Sequence, residues 1–319
     1  MATTNFVAAQ AVNRRNTLLL LVVLTALAAL FGYLIGWALE GYATDKVAAV
    51  SVVGLAAAAC MAAASVAWSG ISLAFGSRMV LAMADAKPID KGDAPQLFNV
   101  VEEMSIAAGV PMPKVMVMET DALNAFATGT STSNAAIVVT RGLLQTLNRE
   151  ELQGVVGHEM GHIANLDTRY MTIVSVTVGL IALVSSMILR TMRWGSFSNR
   201  SSSSDRKSSG GSAILIIVLL VVAVLAPIAA KAVQMAVSRQ REYLADATSV
   251  QFTRNPEGLI SALQKLEAAA GQPFAGVSDA TQHLFIVNPV RAMTATTSAL
   301  MATHPDIASR IDRLRNLGA

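Results

Sequence analysis

The stretch HEMGH, residues 158–162, combines residue types and a spacing that can bind a metal ion. On an α-helix, side chains four residues apart lie about 40° apart around the axis and about 6 Å apart along it. His158 and His162 can therefore direct two imidazole nitrogens to a single ion, about 2 Å from each. Glu159 is turned about 100° from His158, so it reaches a water molecule on the ion more easily than the ion itself. H-E-x-x-H on a helix is the signature of zinc proteases.

Metal-assisted hydrolysis is the chemistry that this arrangement suits. A bound ion lowers the pKa of its water from about 15.7 to about 7, and the Glu159 carboxylate can take that proton and later give it to the leaving amine. The alternative is a coincidental pair of helix histidines in a core. Gly157 and Gly161 each cost about 1 kcal/mol in a helix relative to alanine, which indicates that something approaches this face closely. Packing of another helix would also explain them.

A third protein ligand is needed, because a catalytic zinc ion is held by three side chains and keeps its fourth position for water. The segment SRQREYLADATS, residues 238–249, places Glu242 and Asp246 four residues apart on one helical face. Glu242 could bind the ion, and Asp246 could accept the N–H of a ligating histidine and fix its tautomer. The alternative is a solvated acidic face paired with Arg239 and Arg241. Beside the HEMGH motif, the metal-binding interpretation is favoured.

The elements that must position these residues are predicted to form a compact α/β part over residues 78–168 and a helical part over 237–319. Apolar spacing predicts a helix over Pro95–Ala108, and β-rich composition predicts three strands, at 114–119, 124–129 and 135–140. Asn148 is a good N-cap and Glu151 its capping-box partner, so the helix with HEMGH is expected to start there. Further helices are predicted over 255–271 and 304–317, with a long loop from Gly271 to Thr303.

The composition indicates a membrane protein. Charged residues make up 14% of the 319 residues and hydrophobic residues 53%, whereas a soluble protein carries about 25% charge. A membrane-crossing helix needs about 20 predominantly apolar residues. Four apolar stretches are long enough to be considered: Leu18–Leu39, Val47–Phe75, Tyr170–Leu189 and Ala213–Ala230. The first is too long for the apolar part of a signal peptide, about 7–15 residues, so we expect a retained anchor. The predicted fold is a mainly α membrane protein, with a two-helix anchor over 1–77, an apolar helical hairpin over 169–236 and a small α+β catalytic domain.

Basic residues near the apolar stretches predict the orientation in the membrane. Arg14 and Arg15 precede the first stretch and Arg78 follows the second, which places the N terminus and the residues after Arg78 in the cytoplasm. The linker 190–212 carries five basic residues against Asp205 alone, yet two complete crossings would put it outside. Whether the last two stretches cross fully therefore stays open. The Ser-rich sequence of the linker predicts disorder.

Several classes of protein find no support in the sequence. The net charge is only +3 and no Lys/Arg-rich block with interleaved aromatic residues occurs, so nucleic-acid binding is not indicated. Cys60 is the only cysteine, so no intramolecular disulfide can form. A transporter usually places ionisable residues or helix breaks near the middle of the membrane. The four stretches show none of these apart from Pro227.

In the order of its segments the chain closely resembles the HtpX-type membrane-integrated zinc metalloproteases, bacterial relatives of the CAAX prenyl proteases. The resemblance covers nearly the whole length and rests on two N-terminal apolar helices, NAFATG at 124–129, HEMGHIANLD at 158–167, an apolar pair, REYLADA at 241–247 and HPDIASRI at 304–311. It implies a zincin-like catalytic domain with one Zn²⁺ per chain. The implied ligands are His158, His162 and Glu242, with Glu159 as general base and Asp246 as the acid that supports a ligand.

The resemblance also suggests roles for two weaker sites. NAFATG resembles an edge strand that holds an extended substrate through its free N–H and C=O groups. The alternative is an ordinary strand in which Asn124 forms a cap. His304 and Arg310 could stabilise the developing oxyanion at the scissile carbonyl, or only close the C-terminal helix. His283 matches no motif and is expected in a loop.

The function that the resemblance implies is a zinc endopeptidase integral to the bacterial inner membrane. It would cut misfolded or damaged membrane proteins at the cytoplasmic face, as part of quality control under stress. Its partners would be unfolded or membrane-protein substrates and the lipid bilayer. One alternative is a CAAX-type processing protease that cuts a single C-terminal site. The other is a membrane protein that binds or transports a metal without hydrolysis.

Overall fold

The structure is a computed structural model that describes residues 6–44, 49–198, 239–269, 281–287 and 305–318. The described elements, in chain order, are α1 (Phe6–Thr44), α2 (Val52–Met83), β1 (Lys87–Pro88), α3 (Pro95–Ala108), β2 (Lys114–Met118), β3 (Ala125–Thr128), β4 (Ala136–Thr140), α4 (Arg141–Thr146), α5 (Arg149–Ala164), α6 (Asp167–Ser198), α7 (Arg239–Thr253), α8 (Pro256–Ala268) and α9 (Ile307–Gly318). The protein is therefore mainly α-helical with one small sheet, as the sequence predicts.

Three of the described helices are long and apolar enough to cross a membrane, and they overlap the first three predicted stretches, although α2 begins at Val52 and not at the predicted Val47. These are Val7–Gly41 within α1, all of α2, and Asp167–Met187 within α6. The fourth stretch, 213–230, lies outside the described residues. The helix α6 continues to Ser198, where the Ser-rich tract that the sequence predicts to be disordered begins, and the rest of that tract lies outside the described residues.

The chain divides into two compact units, of which the first takes in the described parts of Met1–Asn16, Ser72–Val176 and Val233–Ala319. The second consists of the described parts of Thr17–Ile71 and Thr177–Ala232. Within the second unit, α1 and α2 pack closely at glycines. A Cβ on Gly36 would lie 2.7 Å from the carbonyl oxygen of Val53, so only glycine allows this approach. The remaining surface of these helices is rich in exposed Leu and Val, as expected of helices that face lipid.

The first unit contains a four-stranded sheet in the order β1-β2-β4-β3. Strands β2 and β4 are parallel, while β1 pairs antiparallel with β2 and β3 pairs antiparallel with β4. The three longer strands occupy the three predicted segments. The two-residue strand β1 is too short to show in the sequence. Strand β3, which carries NAFATG, lies at the edge of the sheet, as the resemblance implies.

The helix α5 is the centre of the first unit, and it packs against α3, α7 and α8. Its start matches the prediction, because Asn148 and Glu151 form both hydrogen bonds of a capping box, at 3.0 and 2.8 Å. The glycines of α5 are explained by helix packing. A Cβ on Gly157 would lie 3.0 Å from Ser249 Oγ, and one on Gly161 would lie 3.2 Å from Thr248 Cβ. These contacts bring α7, the helix of Glu242, against the helix of the two histidines.

The closest approach in this packing yields a prediction for Gly154→Ala. The added Cβ would lie 2.6 Å from the backbone nitrogen of Leu259, so the backbone of α8 must shift. Helix propensity favours alanine by about 1 kcal/mol, but overpacking costs about 1–3 kcal/mol. We expect a lower midpoint of thermal unfolding in detergent. The control is Gly70→Ala in α2, where an added Cβ meets nothing within 4 Å. Equal midpoints of thermal unfolding for the two variants would contradict the close packing of α5 against α8.

Candidate metal centre and active site

The structure brings the three predicted ligands together. The Nε2 atoms of His158 and His162 lie 3.2 Å apart. The Glu242 carboxylate oxygens lie 3.7 Å from Nε2 of His158 and 3.6 Å from Nε2 of His162. All three side chains are buried. Glu242, which follows His162 by 80 positions, and the two histidines thus direct three ligand atoms to one point, and these atoms all lie within 4.8 Å of one another.

The donor set fits a tetrahedral zinc ion. Two zinc–ligand bonds of about 2.1 Å at a tetrahedral angle place their ligand atoms about 3.4 Å apart. The Nε2–Nε2 separation of 3.2 Å, and the distances of 3.7 and 3.6 Å from these two nitrogens to the two different oxygens of Glu242, lie close to that value. Two imidazoles and one carboxylate are also the ligands of a known class of catalytic zinc site, in which the fourth position stays open.

Each ligating histidine has a carboxylate on its other ring nitrogen. Asp246 Oδ1 lies 2.9 Å from Nδ1 of His158, in the place that the sequence predicts. Asp167 Oδ2 lies 3.1 Å from Nδ1 of His162. A carboxylate at Nδ1 takes the N–H of the neutral ring, which leaves the lone pair of Nε2 for the metal. With both rings neutral, both Nε2 atoms would present a lone pair to the same point.

The role of Asp167 was missed by sequence reasoning, although a signal for it exists. It follows His162 by five residues, in the quoted stretch HEMGHIANLD. A metal-bound histidine usually donates its second N–H to a carboxylate or a carbonyl. An acid next to the end of the motif helix is therefore a candidate by position alone, because the chain must turn there between α5 and α6.

Arg310 lies at the end of this network and is 1% exposed. Its Nε and Nη2 atoms donate to the two oxygens of Asp246, at 2.9 and 2.6 Å. Nη1 donates to the carbonyl of Ile286 at 3.2 Å and lies 3.8 Å from the Glu242 carboxylate. The guanidinium therefore pairs with Asp246, the acid beside His158, and also lies near the Glu242 carboxylate. His304, its predicted companion, lies outside the described residues.

Burial and charge shift the pKa values of the site in different directions. Burial and the positive charge of Arg310 lower the pKa of His158 to about 4, against the opposing effect of Asp246. For His162, burial alone would lower the pKa, but the hydrogen bond to Asp167 and the charge of Glu242 outweigh it and raise the pKa to about 9. Burial raises the pKa of the Glu159 carboxyl to about 7. Glu159 thus titrates near neutral pH, where a general acid–base group works best.

The edge strand β3 runs beside the motif helix. The backbone N–H of Ala127 donates to the Glu159 carboxylate. The carbonyl of Ala125 accepts the N–H of Ile286 at 3.0 Å, so part of this edge is paired within the chain. The side-chain amide of Asn124, a predicted substrate contact, donates to the carbonyl of Val287 at 2.7 Å.

The short segment 281–287 differs from the loop that the sequence predicts. It contains a 3₁₀ turn over Gln282–Leu284, and His283 is fully buried within it. Nε2 of His283 lies 3.3 Å from Ser175 Oγ and 3.4 Å from the carbonyl of Met171. A contact between two aromatic rings also fixes the segment, because Phe285 packs edge to face on Phe126 of β3 with centroids 5.0 Å apart.

Comparison with known proteins gives a consistent result. Peptidase family M48 matches residues 92–318 of the chain. A protease HtpX homolog of Streptococcus agalactiae serotype III (strain NEM316) is 40% identical over 308 residues, which cover 96% of this chain and 97% of the relative. A protease HtpX homolog of Streptococcus uberis (strain ATCC BAA-854 / 0140J) is 42% identical over 311 residues, with the same coverage. The crystal structure of S. mikatae Ste24p aligns with a TM-score of 0.48 and 20% identity over 92% of this chain, which spans 64% of that structure's chain.

The buried pair of Arg310 and Asp246 yields a prediction for Arg310→Ala. Removing the guanidinium leaves Asp246 buried without its bidentate partner, and breaking a buried pair in this way costs about 3–5 kcal/mol. We expect a clear fall in the midpoint of thermal unfolding. The control is Arg313→Ala, one turn further along α9, where the guanidinium stacks on Tyr243 at 3.8 Å. We expect a much smaller fall there. Unchanged stability of Arg310→Ala with loss of proteolysis would instead support the oxyanion role.

Proposed function

The chain belongs to peptidase family M48 as an HtpX-type membrane protease, and from this premise we propose that it is a zinc endopeptidase that cuts misfolded or damaged membrane proteins at the cytoplasmic face of the bacterial inner membrane. The observation that carries the reaction class is the convergence of His158, His162 and Glu242 beside a buried carboxyl group, Glu159. The substrate class and the cellular side are supported by the HtpX relatives and by the basic residues around the first two apolar helices.

The proposed chemistry divides between a cation and one carboxylate. His158, His162 and Glu242 would hold a Zn²⁺ ion, which supplies Lewis-acid activation of a water molecule when bound. Glu159 accepts the proton of that water and passes it to the nitrogen of the leaving amine. The Ala127 N–H donates to the same carboxylate and so fixes its direction. The proton thus moves from water to product through a single group.

The proposed substrate platform is the edge strand β3. A peptide that lies along an edge strand binds through main-chain hydrogen bonds, which are available to any unfolded sequence. Because the Ala127 N–H holds Glu159, a peptide on this edge would lie next to the general base. Asn124 at the start of the strand is proposed to help align the peptide, and Arg310 with His304 to support the oxyanion. Recognition through the backbone favours substrates that are unfolded over substrates with one defined sequence.

The assignment of Glu159 predicts a separation between metal binding and activity. Glu159→Gln keeps the size of the side chain and removes only its capacity to accept the proton, so zinc content should remain at one per chain. Cleavage of casein, or of the protein itself, should fall by a factor of at least about 10². The measurements are metal analysis and a proteolysis assay on purified protein in detergent.

The matched variant in this experiment is His158→Ala. It removes a ligand, so the variant should lose both zinc and activity. Unaltered zinc content in His158→Ala would show that the ligand set is wrong. Retained proteolysis in Glu159→Gln would instead refute the assigned base. The two variants thus test the metal site and the general base separately.

The proposed platform also predicts the pattern of products. Because β3 offers backbone groups and not a pocket for one side chain, an unfolded substrate should be cut at many positions. Mass spectrometry of casein fragments, taken early in the reaction, would count the distinct cut sites. A single cut next to a lipidated C-terminal cysteine, with casein left intact, would overturn the quality-control proposal in favour of CAAX-type processing.

A further inference from the structure

The first turns of α1 carry polar side chains that contact the end of the motif helix. The side-chain amide of Gln10 donates to the carbonyl of Ala164, the last residue of α5, at 2.8 Å. The side-chain amide of Asn13, three residues on and thus on the same face, donates to the carbonyl of Asn165 at 2.9 Å. All four residues belong to the first compact unit. The start of the predicted membrane anchor is therefore attached to the helix that bears both histidines.

Asn13 makes one contact that Gln10 does not. Its amide also donates to Asp167 Oδ1 at 2.7 Å, while the second oxygen of Asp167 lies 3.1 Å from Nδ1 of His162. Each oxygen of this carboxylate thus has its own short contact, which fixes the plane of the carboxylate. Asn13 is 5% exposed and Asp167 is fully buried, so water does not replace these contacts easily.

The chain of contacts has a consequence for the metal. A carboxylate that accepts the N–H of a ligating imidazole sets the tautomer and the direction of the ring, and its loss typically lowers metal affinity about 10–100-fold. Asp167 is free to rotate about its side-chain bonds unless a further group holds it. Besides the Asn13 amide, the described groups near its oxygens include Arg241 Nε, which lies 3.7 Å away and beyond hydrogen-bond distance. The Asn13 amide is therefore the closer of these two donors to Oδ1, while the charge of Arg241 stabilises the same oxygen from a longer distance.

We propose that Asn13 of the first membrane helix is a positioning residue for the metal centre: through Asp167 it holds His162 in the orientation that retains the cation. This inference rests on the proposed zinc site and deepens it. It makes the attachment of the anchor helix a condition for tight metal retention, in addition to its role as an anchor. Gln10 serves only the attachment of the helix, because it contacts the backbone of α5 and not Asp167.

The test uses the full chain, purified in detergent and loaded with zinc. The rate of zinc release to excess chelator is followed with a chromogenic indicator, at a temperature far below the unfolding midpoint of every variant. Asn13→Ala should release zinc about 10-fold faster than the wild type. Gln10→Ala, which removes a comparable contact between the same helices, should stay within about 2-fold of the wild type. Asn13→Leu keeps the branched shape of the side chain without its donor and should behave as Asn13→Ala.

A double-mutant cycle tests whether Asn13 acts through Asp167. Asp167→Asn alone should accelerate release, and adding Asn13→Ala to it should have no further effect, because the path is already broken. Additive effects of the two changes, or equal release from Asn13→Ala and Gln10→Ala, would overturn the inference. If Asn13→Ala does not fold, the comparison of Asn13→Leu with Gln10→Ala decides in the same way. Absence of zinc from the wild type would instead refute the proposed function.

Discussion

The structure of the catalytic centre depends on the requirement that buried charges be paired. Glu242, Asp246, Asp167 and Arg310 are all nearly inaccessible to water, and an unpaired buried charge is costly enough that proteins avoid it. Here Arg310 holds Asp246 at both oxygens, and Asp246 in turn holds His158. Removing one member would leave its partner buried and unpaired. The paired charges therefore allow only one arrangement of these side chains, and that arrangement orients the imidazole rings.

Backbone packing of α7 against α5 sets the distance between Glu242 and the two histidines. Glu242 comes from α7, and α7 reaches α5 only because α5 presents glycines where the helices meet. Ser249 of α7 donates to the carbonyl of Gly154 at 2.7 Å, which fixes the two helices against sliding. The glycines next to the histidines thus contribute indirectly to the candidate metal site. They lower the helix propensity of α5, and the close packing that they permit brings the third ligand within reach.

The elements that the sequence predicted well are those with a local signal. The capping box at Asn148, the H-E-x-x-H spacing and the acidic pair of α7 depend on residues within one or two turns, and the structure shows each in place. Contacts between segments that are far apart in the sequence have no such local sequence pattern. The pairing of Arg310 with Asp246 joins residues 64 positions apart, and that of Asn13 with Asp167 joins residues 154 apart. The length of α6 was also underestimated, because helix formation continues past the apolar stretch where composition changes.

A substrate on the edge strand β3 would have to bind where the chain already forms hydrogen bonds with itself. Two outward groups of β3 are engaged: the Ala125 carbonyl by Ile286, and the Ala127 N–H by Glu159. Under the proposed function, an incoming peptide would replace Ile286 at the Ala125 carbonyl and so exchange one main-chain hydrogen bond for another, which changes the free energy little because the number of bonds is conserved. The exchange is favourable only for a chain whose own N–H and C=O groups are not already paired with each other. A folded protein must first break its own bonds, whereas an unfolded segment need not. Under the proposed function, the self-pairing of the edge would therefore act against folded proteins and permit the cleavage of unfolded ones.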